Sequence, residues 1–404
     1  MTQTLLAEQA HDARHERAAT GRRRILIAVH SAKLGGAERM ALLEAEYLKA
    51  RFELLLSVPE GPLHSHFAEQ GELVPWTETL PLWGASATRW ARSSVRTLRD
   101  AVAMAMLIRR RRVELVLTNS SVCLAPVLAA RLARVPVVVH ARDVPKSRLA
   151  PFVMALQGKL ASTVIVIADG LTGYFRAGRR TRIARIPDGI VVPAAPPNRP
   201  HSSFGSPLRL CLVGALDPRK GQDIAVAALA QLHKRGIPAT LELLGRELDE
   251  DFANEVRAQA QRLGVLDDVS FVGEVDGIGT HLQGTDIVIA PSRGEWTPLV
   301  LMEALAHGKP VVAARVGGVS DVVCDHDSGL LIAPENPTEL ADAIVELSED
   351  PAAAAAMAER GRAHIVAQFR VEHTLEGLQS EIHKLLGGES AGFRREPGPL
   401  QPVL

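Results

Sequence analysis

This sequence of 404 residues contains only three cysteines, and they are poorly placed for pairing with one another. Cys123, Cys211 and Cys324 lie far apart and form none of the short paired spacings of a thiolate metal site. A framework of several disulfides, as in small secreted domains, is therefore not indicated. We expect three buried thiols in a reducing compartment.

Aromatic residues and net charge are also low. Phe, Trp and Tyr make up 4% of the chain, which argues against an aromatic-lined carbohydrate groove or a base-stacking platform. Lys plus Arg and Asp plus Glu both number 46, so the formal net charge is zero. No overall field attracts a polyanion such as nucleic acid, and any anion must be bound at a local site.

Long hydrophobic runs are missing as well, and we expect no secretory signal in the first residues. The longest apolar stretches, such as Ala101–Ile108, fall well short of the roughly 20 residues that span a bilayer. The segment Met1–Arg24 mixes polar and charged residues without a continuous apolar run, unlike a secretory signal. We therefore expect no transmembrane helix and a cytoplasmic location.

What the sequence does contain is a repeated alternation of short branched-aliphatic runs, polar or glycine turns, and longer segments with helical spacing. This alternation predicts an α/β fold with doubly wound parallel sheets and a core of small aliphatic side chains. The strands predicted in the first half are Ile25–Val29, Leu54–Val58, Glu114–Thr118, Val135–His140 and Thr163–Ile167. The pattern restarts with the predicted strands Leu208–Val213, Thr240–Gly245, Val269–Val272, Asp286–Pro291 and Pro310–Ala314.

A segment dense in Pro, Ser and Gly, Val192–Leu208, separates the two runs of strands. The predicted organisation is a disordered tail (1–23), a first domain (24–192), a linker (193–207), a second domain (208–370), a C-terminal helix able to pack on either domain (371–386) and a second disordered tail (387–404). Parallel sheets bind their ligands beyond the carboxyl ends of the strands, so function is sought in the turns there.

The most informative turn follows the predicted strand that ends at Pro291. Thr297 and Pro298 supply an N-cap and a first-turn proline, so a helix is predicted to begin there. Leu299 and Val300 lie in its first turn, where free N–H groups and the positive end of the helix dipole favour a phosphate.

Two carboxylates accompany this helix start, Glu295 in the loop before it and Glu303 within the helix. Amides that hold phosphates, together with carboxylates that accept hydrogen bonds from hydroxyls, suit a sugar diphosphate. The alternative is an ordinary helix with two solvated surface charges, and for each element taken alone that alternative is favoured.

A second turn, after the predicted strand Leu208–Val213, carries Arg219 and Lys220. A cation at a strand-to-helix turn can neutralise a leaving diphosphate, and Arg can do so through two hydrogen bonds. Basic turns without a ligand are common, so this signal alone is weak. In the first domain Gly35 and Gly36 permit close approach of a ligand to a helix start, although a tight turn without a ligand is equally compatible.

Together these motifs resemble those of the retaining nucleotide-sugar glycosyltransferases of family 4, the glycosyl transferases group 1, over nearly the whole chain between the tails. The motifs are LGGAER, PEGPLHSHFAEQG, VVVHARD, IPDGI and VGALDPRKG, in that order along the chain. The pair Glu295 and Glu303 with the following GKPVVAARVGG is the match most specific to the family. The resemblance implies the GT-B fold, in which two Rossmann-like domains face a central cleft.

The resemblance also implies roles for individual residues. Lys220 would stabilise the diphosphate, Glu303 would hold the nucleotide ribose, and Glu295 would bind the transferred sugar. His140 would lie at the sugar's side of the cleft and, with Lys220 and Glu295, would act in catalysis.

Phosphate binding is implied for further residues. Gly35 and Gly36 would line the phosphates of donor or acceptor, while Arg219 and the amides of Leu299 and Val300 would share the leaving-group charge with the catalytic lysine. The family needs no bound metal, and this chain has no Asp-rich cation site, so no cofactor is expected.

Two positions depart from the family pattern. Gly-Arg-Leu is common where this chain has Gly214, Ala215 and Leu216, so one phosphate-binding Arg is missing and Arg219 is the candidate replacement. Trp-Thr-Pro follows Glu295 where Gly-Phe-Gly is more frequent, which predicts a narrower sugar pocket.

A cluster of arginines, Arg109–Arg112, allows a membrane or lipid-phosphate interpretation, supported by Arg89, Trp90, Arg92, Arg96 and Arg99 upstream. The favoured interpretation is a solvated helix whose last turn complements its dipole, because a membrane patch needs an apolar face beside the charges. Weak peripheral contact with the inner membrane face is kept as the alternative.

The leading functional hypothesis is transfer of a hexose or modified hexose, with retention, from a nucleoside diphosphate sugar to an acceptor hydroxyl on a lipid, glycan or small metabolite. Nucleic acid is not an expected partner, and the sequence does not indicate an oligomeric state. The alternatives are a nucleotide-sugar epimerase on a similar two-domain fold and a two-lobed sugar-binding protein without enzymatic activity.

Overall fold

A computed structural model describes residues 22–33, 35–76, 87–144, 149–193, 204–275 and 277–387, with side chains from residue 92 onward in the third range. The described chain divides into two compact units. The first unit comprises residues 22–186 together with 375–387, and the second comprises residues 187–374.

The first unit is built on seven strands, which are β1 (Arg24–Ala28), β2 (Glu53–Ser57), β3 (Glu72–Val74), β4 (Leu115–Thr118), β5 (Val137–Ala141), β6 (Thr163–Val166) and β7 (Arg182–Arg185). They form a parallel sheet in the order β3-β2-β1-β4-β5-β6-β7. The strand order reverses at β1 and β4, which pair directly with Ile25 opposite Leu115. That reversal defines the switch point at which such sheets bind ligands.

Helices cover both faces of this sheet, and they are α1 (Gly36–Lys49), α2 (His64–Ala68), α3 (Ala87–Arg110), α4 (Leu124–Ala133) and α5 (Ala150–Leu160). Because parallel crossovers are right-handed, α1 and α2 lie on one face and α3, α4 and α5 on the other. The packing agrees, since α1 contacts α2 while α4 contacts both α3 and α5.

The second unit is built on six strands, which are β8 (Leu208–Val213), β9 (Ala239–Leu244), β10 (Val269–Gly273), β11 (Ile287–Ala290), β12 (Val311–Ala314) and β13 (Leu330–Ile332). They form a parallel sheet in the order β10-β9-β8-β11-β12-β13, with the reversal at β8 and β11. Most of its core is Leu, Ile, Val and Ala, as the low aromatic content predicts.

The helices of the second unit begin with α6 (Gln222–Lys234), α7 (Glu250–Leu263), α8 (Gly279–Gly284) and α9 (Leu299–Ala306), and continue with α10 (Val319–Val322), α11 (Pro337–Glu349) and α12 (Pro351–Gln368). Asp249, Asn336 and Asp350 cap three of them by accepting hydrogen bonds from first-turn amides. Gly264 ends α7 in the left-handed conformation, where glycine avoids the Cβ penalty.

The last helix, α13 (Val371–Leu386), begins in the second unit and belongs from Leu375 onward to the first. The Tyr47 hydroxyl donates to Gln379 at 2.7 Å, and Arg182 pairs with Glu381 at 3.2 Å. These contacts attach most of α13 to α1 and β7 of the first unit.

The predicted fold class is confirmed, and each predicted strand is present within two residues at either end. Sequence reasoning missed β3, β7 and β13, which are three or four residues long and lie at or next to the sheet edges. β3 and β7 leave most of their residues at least partly exposed, so their sequences carry a weak hydrophobic signal. β13 is buried but only three residues long, which is too short to show a clear pattern.

The predicted boundaries differ somewhat from the observed units, because the change from first to second unit falls after Ile186 and not at residue 192. Most of the predicted linker (194–203) and of both predicted tails (1–21 and 388–404) lies outside the described residues. One expectation about the thiols is wrong: Cys123 and Cys211 are buried, but Cys324 is exposed in the turn after α10. Burial raises the pKa of Cys211 to about 12, so this thiol stays protonated at neutral pH.

None of the helices within the described ranges combines the length and apolar character that a membrane span requires.

Candidate active site

The predicted site of the second unit lies at the switch point of its sheet. Lys220 follows β8 and Glu295 follows β11, and these two strands are direct neighbours. The Lys220 Nζ lies 2.5 Å from Oε1 of Glu295, so residues far apart in sequence form one ion pair. Their side chains are 21% and 15% exposed, so the pair lies in a partly desolvated setting.

The backbone at Gly214 determines the path of the Lys220 side chain. A Cβ atom at position 214 would approach three carbons of that side chain to 3.0–3.2 Å, because the alkyl chain passes directly over the glycine. The next turn is equally tight: Gly221 has φ +73°, and a Cβ there would overlap the carbonyl oxygen of Pro291 at the end of β11. Two glycines therefore allow the basic turn to lie against the neighbouring strand.

Glu295 is fixed by three contacts within its own unit. The Ser292 hydroxyl donates to Oε1 at 3.0 Å, and the Gly318 N–H donates to the Glu295 carbonyl oxygen at 3.0 Å. Gly317, with φ +50°, lies so close to that carbonyl that a Cβ atom would overlap it. The glycine pair of the ARVGG motif thus positions the Glu295 loop from the end of β12.

Arg219, the predicted partner of Lys220 at the phosphates, is bound by a neighbouring carboxylate. Its guanidinium donates two hydrogen bonds to Asp217, at 2.8 and 3.1 Å. Asp217 also accepts from the Arg219 amide, which fixes the short 3-10 turn Pro218–Lys220. The positive charge of Arg219 is therefore compensated locally by Asp217, as that of Lys220 is by Glu295.

Arg293 was not singled out in the sequence, yet it stabilises the same pair of loops. It donates to Asp223 at 2.7 and 2.9 Å, to the Pro218 carbonyl and to Glu335. These two carboxylates raise the pKa of Arg293 above its ordinary value, so it remains charged. A basic residue three positions after a strand was the available signal, but its acidic partners are remote in sequence.

The helix start predicted at Thr297 is shifted by one residue. Pro298 occupies the N-cap position of α9, no side chain caps the helix, and the first helical residue is Leu299. Because the Leu299 N–H donates to the Thr297 carbonyl at 3.0 Å, only one of the two predicted amides is available. The Val300 N–H has no partner among the residues that the structure describes.

Glu303 and Trp296 are both partly buried in this part of the second unit. Glu303 lies in the second turn of α9, where its carbonyl accepts from the amide and ring of His307. Trp296 directly follows Glu295 in the loop before the helix. The predicted ribose and sugar contacts of this segment stay predictions.

In the first unit the predicted glycines begin α1, as expected from LGGAER. Gly35 occupies the N-cap position in extended conformation, and Gly36 is the first helical residue. The Glu38 carboxylate folds back over Gly35, leaving no room for a Cβ there, and it pairs with His30 at 3.3 Å. An acidic group therefore already occupies this helix start, which does not favour a phosphate.

His140, predicted at the sugar's side of the cleft, is a fully buried residue of β5. Its Nδ1 lies 2.9 Å from Oε1 of Glu44, and Arg142 donates to the same oxygen. All three side chains are almost without exposed surface. In this structure His140 therefore contacts a buried carboxylate, and its predicted contact with substrate stays a prediction.

The protonation of Glu44 follows from this cluster. Desolvation by burial raises its pKa, but the positive charge of Arg142, together with His140 and their hydrogen bonds, outweighs burial and lowers the pKa to about 2. Sequence reasoning missed Glu44, although a glutamate on the buried stripe of α1 beside Met40 and Ala41 was a visible signal.

The loops at the switch point of the first unit are joined by a further carboxylate. Asp143, after β5, accepts from the hydroxyls of Ser120 and Ser121 at 3.0 Å. The His30 N–H, after β1, donates to Asn119 at 3.1 Å. Hydrogen bonds thereby link the loops that follow β1, β4 and β5.

Within the described ranges, no group of three or more His, Cys, Asp or Glu side chains is arranged to hold a metal ion. That the reaction needs no metal stays a prediction. Its chemical reason is that Lys220 supplies a positive charge at the site.

Comparison with known proteins identifies the second unit. Residues 198–364 match the family described as Glycosyl transferases group 1. This range contains Lys220, Glu295, Glu303 and the glycines that position them.

Two curated relatives illustrate the sequence similarity. A D-inositol 3-phosphate glycosyltransferase of Acidothermus cellulolyticus is 35% identical over 213 residues, 49% of this chain and 47% of that protein. A GDP-mannose-dependent alpha-(1-6)-phosphatidylinositol monomannoside mannosyltransferase of Mycobacterium tuberculosis is 32% identical over 194 residues, 46% of this chain and 48% of that protein. The chain thus spans about half the length of the curated relatives it matches.

Solved structures share the fold of this chain. HepE of Anabaena, crystallised in complex with UDP, has a TM-score of 0.73 and 24% identity, covering 89% of this chain and 100% of that chain. A glycosyltransferase from Rickettsia africae has a TM-score of 0.74 and 17% identity, covering 91% of this chain and 100% of that chain. The fold is therefore that of two Rossmann-like α/β domains, as in GT-B glycosyltransferases. The family match is confined to residues 198–364, within which it agrees with the resemblance to the glycosyl transferases group 1 found in the sequence.

Gly317→Ala tests how the Glu295 loop is positioned. The new methyl group would overlap the Glu295 carbonyl at a left-handed φ, so we expect a loss of at least about 3 kcal/mol in the free energy of unfolding. Gly308→Ala is the matched control, because it has φ +68° and nothing within 4 Å of its Cβ position. That control should lose only about 1–2 kcal/mol. Equal losses in urea denaturation would contradict the close approach.

Glu44→Gln tests the buried cluster. Removing one partner of a buried ion pair costs about 3–5 kcal/mol, so this variant should be much less stable at pH 7 than Glu46→Gln on the same helix. The pKa of Glu44 falls from an ordinary 4.5 to about 2 on folding. Its stabilisation is therefore complete above pH 4.5 and is lost as the pH falls towards 2. The stability difference between wild type and variant, followed by urea denaturation, should shrink over that range; a constant difference would contradict the assignment.

Proposed function

We propose that this protein transfers a hexose or modified hexose from a nucleoside diphosphate sugar to an acceptor hydroxyl, with retention of the anomeric configuration. The observation that carries the proposal is the Lys220–Glu295 pair at the switch point of a unit that matches the glycosyl transferases group 1. Relatives named as glycosyltransferases, one of them GDP-mannose-dependent, support the same class of donor. Retention and membership of family 4 rest on the resemblance of the motifs.

In this proposal Lys220 stabilises the negative charge that develops on the leaving diphosphate. Its ammonium group lies in a partly buried position, where it interacts with a phosphate more strongly than it would in water. Glu295 holds the ammonium in place before the donor binds, because the two groups already form an ion pair. When the diphosphate takes up the ammonium, Glu295 becomes available to accept hydrogen bonds from the hydroxyls of the sugar.

The remaining donor contacts are assigned within the same unit. The Val300 N–H at the start of α9, which has no partner in the described part of the chain, adds a donor for a phosphate oxygen. Glu303 in the next turn accepts from the ribose hydroxyls. Arg219 can bind a donor phosphate only if the donor displaces the hydrogen bonds between its guanidinium and Asp217. No metal is needed for this arrangement, and the reaction should persist in a chelator.

The first unit contributes the acceptor side. Its predicted glycines begin α1 beside Glu38, a carboxylate that suits the hydroxyls of an uncharged acceptor better than a phosphate. The relatives named above act on inositol phosphate and on phosphatidylinositol monomannoside, and a lipid, glycan or small metabolite remains the proposed range of acceptors. A cytoplasmic location is part of the same proposal.

Two alternative functions can be distinguished from glycosyl transfer by what the protein consumes or binds. A nucleotide-sugar epimerase would consume the donor without an acceptor hydroxyl, and a two-lobed binding protein would hold free sugar without nucleotide. Thermal unfolding in the presence of a panel of nucleoside diphosphate sugars identifies the donor first, because a ligand of the folded state raises the apparent melting temperature. Stabilisation by free sugars alone would contradict the proposal.

Lys220→Ala should lower the rate of nucleoside diphosphate release by about a hundredfold, as loss of other preorganised charge-stabilising groups does. Lys234→Ala is the matched control, since Lys234 is an exposed residue in the last turn of α6. The control should retain the wild-type rate. A near-normal rate in Lys220→Ala would mean that the diphosphate is held elsewhere.

Glu303→Ala should weaken binding of the nucleoside diphosphate while the fold is retained. Loss of a hydrogen bond between a charged group and a ribose hydroxyl corresponds to roughly tenfold in Kd. Isothermal titration with the diphosphate identified in the panel measures this change, and circular dichroism confirms the fold. Unchanged affinity would refute the ribose assignment.

A further inference from the structure

An unusual surface covers one side of the first unit, formed by the outer sides of α3, α4 and α5. Apart from Trp76, every exposed large hydrophobic side chain that the structure describes in this unit lies on or directly beside these three helices. The members are Val95, Leu98, Val102, Met106, Leu132, Leu149 and Phe152. We refer to this set, with the basic residues beside it, as the cationic apolar face.

α3 shows why the face is not merely a solvated helix. Its inner stripe is buried against the unit and consists of Thr97, Ala101, Met104, Ala105 and Ile108. A second apolar stripe faces outward, with Val95 at 70%, Leu98 at 60% and Val102 at 52% exposure. Helical spacing keeps these outward residues on one line, so α3 has two apolar stripes where one would suffice for folding.

The charges beside the outward stripe are almost all positive. On a helical projection Arg92, Arg96, Arg99 and Arg110 lie next to it, and all four are exposed. Asp100 is the only acidic residue in the sequences of α3, α4 and α5, and it pairs with Arg96 and Arg99. In a chain of zero net charge, this concentration of arginine is a strong local asymmetry.

The neighbouring helices continue the same character. Leu132 on α4 is 49% exposed, and its carbonyl accepts from Arg109 at the end of α3, which places it beside the outward stripe. Phe152 on α5 is 67% exposed, and α5 packs against α4. The face therefore extends over three adjacent helices on one side of the sheet.

We propose that the cationic apolar face binds the surface of an anionic phospholipid bilayer. Apolar side chains flanked by arginines match the boundary between acyl chains and negatively charged headgroups. Nucleic acid would use the arginines but would leave the apolar stripe in water. A second copy in a two-fold interface would bring the arginines of one chain against those of the other.

The observed outward stripe reverses the preference reached from the sequence. The solvated-helix interpretation of Arg109–Arg112 was favoured because no apolar face was evident beside the charges. The structure supplies that face, with Met106 and Leu132 directly beside Arg109. The proposal concerns binding alone, so it holds or fails independently of the transferase activity.

The test is sedimentation of the full-length protein with vesicles of phosphatidylcholine alone and of equal parts phosphatidylcholine and phosphatidylglycerol. We expect sedimentation with the anionic vesicles and much less with the neutral ones. Leu98→Ser/Val102→Ser/Met106→Ser should weaken binding at least about tenfold. Arg92→Gln/Arg110→Gln should weaken it about fivefold for each arginine removed.

Matched controls on the second unit separate this face from general surface effects. Leu248→Ser/Leu263→Ser/Leu266→Ser removes exposed leucines there, and Lys234→Gln/Arg262→Gln removes exposed cations. Both controls should bind anionic vesicles as the wild type does. All substitutions are at exposed positions, and thermal unfolding verifies that the variants fold.

Three kinds of result would overturn the proposal. The first comes from the vesicles: the wild type does not bind anionic vesicles, or the control variants lose as much binding as the variants of the cationic apolar face. Another is a wild-type dimer in light scattering that the Leu98→Ser/Val102→Ser/Met106→Ser variant converts to monomer, which would make the face a contact between copies. The third is tight binding to duplex DNA that depends on Arg92 and Arg110 but not on the apolar stripe.

Discussion

The ion pair between Lys220 and Glu295 is the interaction on which the proposed chemistry depends. It joins the turns after two neighbouring strands at the point where the strand order of the second sheet reverses. Such a pair forms only if both turns approach closely, and the glycines at 214 and 317 allow that approach. In the second unit, the glycines of the family motifs thus set the backbone around one cation and one carboxylate.

Much of the fold follows from the sequence because buried parallel strands are continuous aliphatic runs, and ten of the thirteen strands within the described ranges are predicted from such runs. The site was predictable only in part. The loops bearing Lys220 and Glu295 were identified, but their contact, like that of Arg293 with Asp223, joins residues about 70 positions apart and depends on strand order. The helix start at Leu299 and the carboxylate over Gly35 depend on loop conformation, which composition does not determine.

The first unit shows a different limit of sequence reasoning. α3 is apolar on two sides, and periodicity alone does not tell which side packs on the sheet. Its arginines were visible, whereas the outward stripe beside them became evident only in the folded unit. His140 shows the reverse case: its place in a family motif predicted a substrate contact, and the structure places it beside buried Glu44. Which side of α3 is exposed and what His140 contacts both depend on burial, which is a property of the folded chain and not of the local sequence.

A double-mutant cycle on Lys220 and Glu295 tests the central claim most directly, with nucleoside diphosphate release measured for wild type, Lys220→Ala, Glu295→Ala and the double variant. If the two residues act as one unit at the donor, each single variant should be strongly impaired, and the double variant should be little slower than the slower single variant. Losses that simply multiply, or single variants with near wild-type rates, would contradict the account.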